Sequence, residues 1–350
     1  MSAPHVSGPI VEVEPDRWDD LLADVGCTDV YSERAYIESA LLLEPGTPAY
    51  LHAGSDRGDV VLPCIVRALP DQLEGAKGLC DVITPYGYGG PVATGDDPPV
   101  DLFWYLYESW CAERRVVASF MRFHPLLENH RYAGPGFAVE RLGTTIAWNL
   151  DRPDDPFDGM HSAHRNSTRK AQRAGAEVTA VEGPDDLSQF VEAYEATMTR
   201  AGASTFYFFD HEYWRRLETS LCDRVVRFDA RIDSELVASA LCLASHPWMH
   251  YHLGATSELG RSSGAGNLVL VEAARWAQAS GFELFHLGGG VGGGEDALFR
   301  FKERFHVAGR RDAYIGKVVH DEPVYAALTG RGADDLAGYF PAYRGRPEPS

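Results

Sequence analysis

Lys302 is the residue of this chain whose type and surroundings most directly indicate chemistry. The chain has only four lysines among its 32 basic residues, and Lys302 lies between phenylalanines in the segment 298–305. A fixed ammonium group stabilises the negative charge that develops on a carbonyl oxygen when an amine attacks an ester or thioester. A surface lysine on an amphipathic helix is the alternative. We predict that Lys302 is catalytic.

A glycine-bearing turn upstream has the composition of an anion-binding site. Residues 261–266 read Arg-Ser-Ser-Gly-Ala-Gly and separate a predicted strand, 248–253, from a predicted helix, 267–280. Glycines leave backbone N–H groups unobstructed where the helix dipole is positive, so the turn could bind a phosphate. A tight turn without a ligand would use the same residues. We predict that this phosphate belongs to the ester or thioester that donates the acyl group. The predicted donor-binding residues are Arg261, Gly264, Gly266 and Asn267.

A second glycine run, 288–294, satisfies the pattern Gly-x-Gly-x-x-Gly and raises the possibility of dinucleotide binding. That fingerprint opens a long βαβ unit, whereas only a short helix and a terminal hairpin are predicted after this run. We interpret the run as a loop beside the site.

One basic cluster interrupts an otherwise acidic chain. Its members are spaced three and four residues apart, which puts them on one face of a predicted helix. This face could contact phosphates of tRNA or of an acceptor, or it could be a solvated helix surface. The cluster comprises Arg165, Arg169, Lys170 and Arg173.

The periodicity of apolar residues predicts the elements that must position these groups. Predicted helices cover 16–22, 32–43, 98–114 and 165–173, and another begins at Asp185 and Asp186. Predicted strands cover 59–67, 116–122, 144–150, 225–232, 236–245 and 282–287. Asp233-Ser234 is predicted to join the fourth and fifth of these strands as a hairpin.

Several segments together resemble the FemABX-like branch of the GNAT N-acyltransferase superfamily. Segments 285–290 and 298–305 resemble its C-terminal signature, 164–171 the entry to its second domain, and 84–91 a turn in its first. Arg-x-x-Gly-x-Gly at 261–266 resembles the acyl-CoA loop of GNAT proteins. The resemblance covers most of the chain. It implies an α/β fold with two GNAT-like domains, each a mixed, largely antiparallel sheet flanked by helices.

The resemblance also implies an activity. Members of this branch transfer an aminoacyl group from aminoacyl-tRNA to an amine, and relatives with the same domain are CoA-dependent acyltransferases. A lysine at the position of Lys302 is thought to stabilise charge in the tRNA-dependent members. We therefore expect an amide-forming aminoacyltransferase. An acyl-CoA-dependent N-acyltransferase acting on a small amine and a non-catalytic GNAT-like binding protein are the alternatives. Aminoacyl-tRNA or acyl-CoA would be a co-substrate, with no tightly bound cofactor.

The acceptor is less closely defined by the sequence. Family enzymes that act on muropeptides use a lysine early in the first domain, and this chain has none before Lys77. A cell-wall precursor and a small amine, such as an intermediate of antibiotic biosynthesis, both remain candidates. Predicted acceptor-binding residues are Tyr86, Tyr88, Tyr207 and His252. Candidates for a general base are His252, Asp296 and Glu303.

Length and charge limit the organisation and the partners. The 350 residues suit two domains of roughly 150 residues each. We assign 1–151 to the first domain, completed by 316–350, and 152–315 to a second domain that carries the donor loop and Lys302. A net charge of −19 argues against DNA and against general nucleic-acid binding, although not against contact with a tRNA end.

Hydropathy and cysteine spacing point to an ordinary cytoplasmic protein. No apolar stretch approaches the roughly 20 residues of a membrane span, and the N-terminus lacks the features of a signal peptide. The six cysteines are scattered and are expected to be buried free thiols. No metal site is predicted, because His161-x-x-His164 and the group His246, His250 and His252 lack further ligands at recognisable spacing.

Overall fold

The computed structural model describes residues 11–27 and 29–345. The described α-helices are α1 (Pro15–Asp24), α2 (Arg34–Ala40), α3 (Val100–Arg114), α4 (Ser162–Arg173), α5 (Ser188–Ala201), α6 (His211–Glu218), α7 (Glu258–Ser263), α8 (Ala265–Ala279), α9 (Ala297–Glu303) and α10 (Glu322–Thr329). The described strands are β1 (Val11–Glu12), β2 (Thr47–Ser55), β3 (Gly58–Ala68), β4 (Cys80–Ile83), β5 (Val92–Gly95), β6 (Val116–Arg122), β7 (Ala138–Asn149), β8 (Glu177–Glu182), β9 (Val225–Ile232), β10 (Glu235–Ser245), β11 (Trp248–Thr256), β12 (Leu284–Gly289) and β13 (Arg310–Val319).

The chain divides into two compact units. Of the described residues, unit 1 contains 11–27, 31–142 and 313–345, and unit 2 contains 29–30 and 143–312. The divisions fall within β7 and β13. The sequence-based boundaries, 151/152 and 315/316, lie a few residues farther along the chain.

Unit 1 is built on a mixed sheet. Its strand order is β1-β2-β3-β4-β6-β13, with β5 paired to β3. The β4–β6 pair is parallel and the remaining pairs are antiparallel. Phe103, Tyr107 and Trp110 of α3 are buried in one core of this unit. Tyr325 of α10, with Phe340 and Tyr343, belongs to a second buried cluster that includes Val117 of β6.

Unit 2 carries Lys302 and the predicted donor-binding turn, and its strands also run in mixed directions. Its strand order is β7-β12-β11-β10-β9-β8, in which only the β11–β12 pair of the described strands is parallel. Helix α8 contacts β8, β9, β10 and β11, and most of its residues are buried. Because α8 is apolar on nearly all sides, it is held firmly within the unit and can fix the position of its own N-terminus.

The fold confirms the predicted α/β class with a mixed sheet in each half. Strands 116–122 and 225–232 match the prediction, and Asp233 and Ser234 form the expected hairpin turn with φ of 49° and 70°. The helix predicted from Asp185 begins instead at Ser188. The Asp186 carboxylate accepts a hydrogen bond from the Ser188 amide at 2.8 Å, which holds the preceding residues in a turn.

The structure confirms that the cysteines are free thiols. All six cysteines are free, and only Cys222 among them is not buried. In the part of the chain that is described, no helix has both the length and the hydrophobicity required to cross a bilayer.

Candidate functional site

The predicted glycine turn is a junction between two helices. Arg261, Ser262 and Ser263 lie in α7, so the expectation of an open turn from Arg261 onward is wrong. The helix forms because the Ser257 side chain caps it, accepting a hydrogen bond from the Gly260 amide at 3.1 Å. Gly264 then ends α7 and begins α8 with φ of +87°, a conformation that favours glycine.

Helix α4 packs directly against this junction. A Cβ atom at Gly264 would lie 2.6 Å from the carbonyl oxygen of Ser167, so only glycine allows this approach. The Lys170 ammonium donates a hydrogen bond to the Ser262 carbonyl at 2.6 Å. The predicted phosphate-contact helix and the predicted donor-binding residues are therefore neighbours in unit 2.

The N-terminus of α8 has groups suited to an anion. The first amides of an α-helix lack intrahelical acceptors and carry the positive end of the helix dipole. Asn267 is 9% exposed, and its side-chain Nδ2 has no hydrogen-bond partner among the described residues. A Cβ atom at Gly266 would meet nothing closer than 3.5 Å, so this position is open. Arg261 is exposed and makes no ion pair within the described residues.

Lys302 is buried, which excludes the surface-lysine alternative. It is 8% exposed, and its Nζ donates a hydrogen bond to the Gly289 carbonyl at 2.8 Å. The ammonium lies 5.7 Å from the centroid of the Tyr251 ring. Burial lowers the pKa of Lys302 to about 8, and the nearby Asp296 carboxylate opposes this shift. At neutral pH the group is therefore charged but easily deprotonated.

The glycine run after β12 forms the loop that holds Lys302 in place. The Asp296 carboxylate accepts from the Val291 amide at 3.1 Å and from the Phe299 amide at 2.8 Å, so it closes the loop and caps α9. A Cβ atom at Gly290 would lie 2.1 Å from the Gly294 carbonyl oxygen. The run leads into a seven-residue helix, unlike the long helix of a dinucleotide-binding unit.

The three candidate general bases all have structural partners. His252 is hydrogen-bonded to the Tyr213 hydroxyl at 2.6 Å, and burial lowers the pKa of His252 to about 4. The imidazole is therefore neutral at pH 7 and a weak base. The Asp296 carboxylate caps α9, and Glu303 accepts a hydrogen bond from Arg310 at 2.7 Å. Each of the three side chains therefore has a structural partner, and the geometry singles out none of them as the general base.

The basic cluster on α4 is mostly engaged within unit 2. The Arg165 guanidinium donates to the carbonyl of Met160, and the Arg169 guanidinium lies 5.1 Å from the centroid of the Phe157 ring. With Lys170 bonded to Ser262, Arg173 is the member whose exposed side chain makes no ion pair, hydrogen bond or ring contact within the described residues. Arg173 and Arg261 are therefore the cations of this surface most available to a phosphate.

The predicted acceptor residues divide between the units. In unit 1 the Tyr86 carbonyl accepts a hydrogen bond from Tyr36 at 2.7 Å, and Tyr88 packs edge-on against Tyr31 with ring centroids 5.4 Å apart. The Tyr88 ring therefore packs against a residue distant in the sequence, and the role of both tyrosines as acceptor contacts stays a prediction.

In unit 2, Tyr207 is half-buried in a 3₁₀ turn and packs against Phe206. The aromatic stretch 206–214 around Tyr207 is divided between the core and the surface. Phe209, Tyr213 and Trp214 are buried, but Phe206 and Phe208 are exposed.

Tyr251 is a feature of the site that the sequence analysis missed. Its ring lies beside the Lys302 ammonium, and a Cβ atom at Gly254 would lie 1.8 Å from the Tyr251 hydroxyl oxygen. Gly254 therefore makes room for that hydroxyl. A glycine three residues after a tyrosine inside a strand was the available signal, since strand glycines often mark a close approach.

The chain is similar to known proteins in sequence over one segment and in fold over most of its length. Residues 160–303 match the acetyltransferase (GNAT) domain family. The structure of FemX matches with a TM-score of 0.68 and 13% identity, covering 92% of this chain and 100% of FemX. Over most of its length the chain has the fold of FemX, and the segment that matches the GNAT domain lies in unit 2.

Two other solved structures have a fold similar to that of this chain. L-PGS from Bacillus licheniformis matches with a TM-score of 0.56 and 13% identity, covering 91% of this chain and 96% of L-PGS. A conserved protein of unknown function from Bacteroides thetaiotaomicron matches with a TM-score of 0.56 and 11% identity, covering 89% and 99%. No curated protein sequence matches the chain significantly.

Proposed function

We propose that the protein is an acyltransferase that forms an amide, taking an aminoacyl group from aminoacyl-tRNA and transferring it to the amine of an acceptor. The observation that carries this proposal is the buried Lys302 ammonium, held by the Gly289 carbonyl at 2.8 Å in a domain of the GNAT family. A buried cation at a fixed position is costly to the fold, and its retention is best explained by chemistry.

Lys302 would act on charge that develops during the reaction. The acceptor amine attacks the ester carbonyl, the carbonyl oxygen becomes negative, and the ammonium stabilises it until the tRNA hydroxyl departs. Low local polarity strengthens this interaction, since Lys302 is almost completely buried. The mechanism needs no covalent enzyme intermediate. With the three candidate bases engaged elsewhere, the amine would lose its proton through water.

The junction of α7, α8 and α4 would hold the phosphates of the donor. It combines the N-terminus of α8, the unobstructed backbone at Gly266 and the side-chain Nδ2 of Asn267, which has no hydrogen-bond partner among the described residues. The exposed cations Arg173 and Arg261 add positive charge. These groups are concentrated on one junction of a chain with a net charge of −19. Local attraction of a phosphate there does not depend on the charge of the whole molecule.

An acyl-CoA-dependent N-acyltransferase is the second candidate. The observation that favours it is the intact Arg261-x-x-Gly264-x-Gly266 sequence at a helix N-terminus, within a segment that matches an acetyltransferase domain. For either donor, the acceptor would be a small amine or a muropeptide. In the unit that carries Lys302, Tyr207 and His252 are the candidate acceptor contacts. A third candidate, a non-catalytic GNAT-like protein, would bind a ligand without turnover.

Ligand-induced stabilisation can test the donor class. Thermal unfolding would be followed with an excess of CoA, of acetyl-CoA, or of bulk tRNA. A ligand at one hundred times its Kd adds about 2.7 kcal/mol to folding stability. The proposal predicts no shift with either CoA compound, and tRNA binding that weakens when Arg173 and Arg261 are replaced by glutamate. Exchange of the exposed Lys77 for glutamate is the matched control.

The outcomes separate the candidates. A clear rise in Tm with acetyl-CoA that is lost in G266V would establish the CoA-dependent alternative and overturn the proposal. Loss of tRNA binding in the glutamate variants but not in the Lys77 control supports the proposal. Binding without any transfer to a panel of amines would favour the non-catalytic candidate.

A further inference from the structure

Unit 1 contains a pocket that the proposed transfer reaction does not use. It has a volume of about 210 Å³ and opens on the face of the sheet formed by β3, β4, β6 and β13. Three cations line it, one from each of three strands: Arg67, Arg122 and Lys317. The register sets Arg122 and Lys317 diagonally across neighbouring strands, because Lys317 pairs with Phe120 and Arg122 with Ile315. Arg67 lines the pocket from β3, on the other side of β4.

The charges around the pocket do not balance. Arg67 and Arg344 both bind the fully buried Asp81, Arg122 binds Glu44, and Lys317 binds Glu140 at 2.7 Å. These ion pairs contain one more cation than anions. The side chains of Arg67 and Lys317 are 13% and 6% exposed, so solvent compensates this excess only weakly.

Hydrogen-bond donors remain for a ligand. Within the described residues, the Arg67 side chain donates only through Nε, leaving both terminal nitrogens of its guanidinium unused. The Lys317 ammonium donates to Glu140 and to the Leu336 carbonyl, which leaves one of its three N–H groups.

The rest of the lining is apolar and small. Ile83, Phe120, Ile315 and Phe340 supply apolar surface, and the exposed Tyr339 lies at the rim. The volume is below the roughly 300 Å³ at which pockets for drug-sized ligands begin, so it suits a ring or an amino-acid-sized body. Glu44 also lines the pocket, pairs with Arg122, and would repel a phosphate dianion more strongly than a monocarboxylate.

We propose that this pocket is a binding site for a small monocarboxylate with an apolar body. The carboxylate would take the free donors of Arg67 and Lys317 and neutralise the one excess positive charge, and the body would lie against Ile83 and Ile315. The proposal concerns unit 1 alone and does not depend on the identity of the acyl donor.

Three compounds with the same ring test the charge requirement. Benzoate, benzyl alcohol and benzylamine would be titrated into the full chain by calorimetry and by thermal unfolding. Only benzoate should bind and raise Tm. Inorganic phosphate serves as the control for a general anion effect and should bind more weakly than benzoate.

Variants locate the binding to the pocket. K317M removes one donor and one charge, and should weaken benzoate binding roughly tenfold or more, as expected for one charge-assisted hydrogen bond. K77M removes the same charge from an exposed position of unit 1 and should bind like the wild type. R67Q is a second pocket variant, to be used if K317M does not fold; it removes the other proposed donor, while Arg344 remains paired with Asp81.

The proposal is overturned by either of two results. One is the absence of benzoate binding at millimolar concentration in the wild type. The other is equal binding by the wild type and the pocket variants. If phosphate binds more tightly than benzoate, the site takes phosphate rather than a carboxylate, and the proposed ligand class is wrong.

Discussion

Burial of Lys302 makes a specific prediction about catalysis. Replacing it by methionine keeps much of the packing against Tyr251 but removes the charge. We expect K302M to lower the transfer rate about 10²–10³-fold, the loss typical of removing one group that stabilises an oxyanion. Steady-state rates with the donor class that the unfolding experiment identifies would check this, with K77M as the control. An unchanged rate in a folded K302M protein would remove Lys302 from the mechanism.

The lowered pKa of Lys302 predicts a pH dependence of the rate. The ammonium is lost as the pH rises through about 8, so wild-type activity should fall on that alkaline side. In K302R the guanidinium stays charged, and any residual activity should lack this decline. The measurement is a pH profile of kcat/KM for both proteins. The assignment fails if K302R shows the same decline.

The same pKa shift predicts that the stability of the wild-type protein rises with pH, whereas its activity falls. The folded pKa of about 8 lies below the ordinary lysine value of 10.5, so between these pH values the unfolded state binds more protons and stability rises with pH. The free energy of unfolding of K302M relative to that of the wild type should therefore decrease as the pH rises from 7 to 10.5, by at most about 3 kcal/mol. Denaturant unfolding at several pH values measures it. A pH-independent difference, as expected for K77M, would contradict the assignment.

At the junction between α7 and α8, one glycine should matter for stability and a neighbouring glycine for donor binding. Alanine at Gly264 meets both a φ of +87° and the Ser167 carbonyl oxygen at 2.6 Å, so G264A should lose at least about 1–3 kcal/mol. Alanine at Gly266 has room, so G266A should keep its stability. If donor phosphate approaches the open amides there, G266A should weaken donor binding. Chemical denaturation and ligand titration of both variants would test this, and equal stability losses would contradict it.

The elements also show why sequence reasoning finds some parts of a fold and not others. Helix α8 was predicted because its apolar residues recur at helical spacing, whereas α7 has six residues and depends on the Ser257 cap. Strand β8 is largely exposed at the sheet edge, so burial leaves no alternating pattern to detect. Lys302 was found through its motif. Its hydrogen bond to Gly289 and its contact with Tyr251 depend on the fold and could not be read from spacing.

At the scale of the molecule, the resemblance predicted an α/β fold with mixed sheets flanked by helices, and the structure confirms that class. The unused pocket of unit 1 was not predicted, because Arg67, Arg122 and Lys317 are far apart in the sequence. Strand pairing brings them together: β13 comes from the C-terminal part of the chain and pairs with β6. Contacts between distant segments of this kind leave no local pattern in a single sequence.

That long-range pairing makes unit 1 depend on the C-terminal segment. Deleting residues 313–350 would remove the partner of β6 and the buried Tyr325, Phe340 and Tyr343, whereas unit 2 retains its own sheet and the core around α8. Hydrogen exchange measured by mass spectrometry should then show faster exchange in β4 and β6 and preserved protection in β9, β10 and α8. Equal protection of β6 in the truncated and full-length chains would show that unit 1 folds without β13. Loss of protection in both units would show instead that unit 2 cannot fold without an intact unit 1.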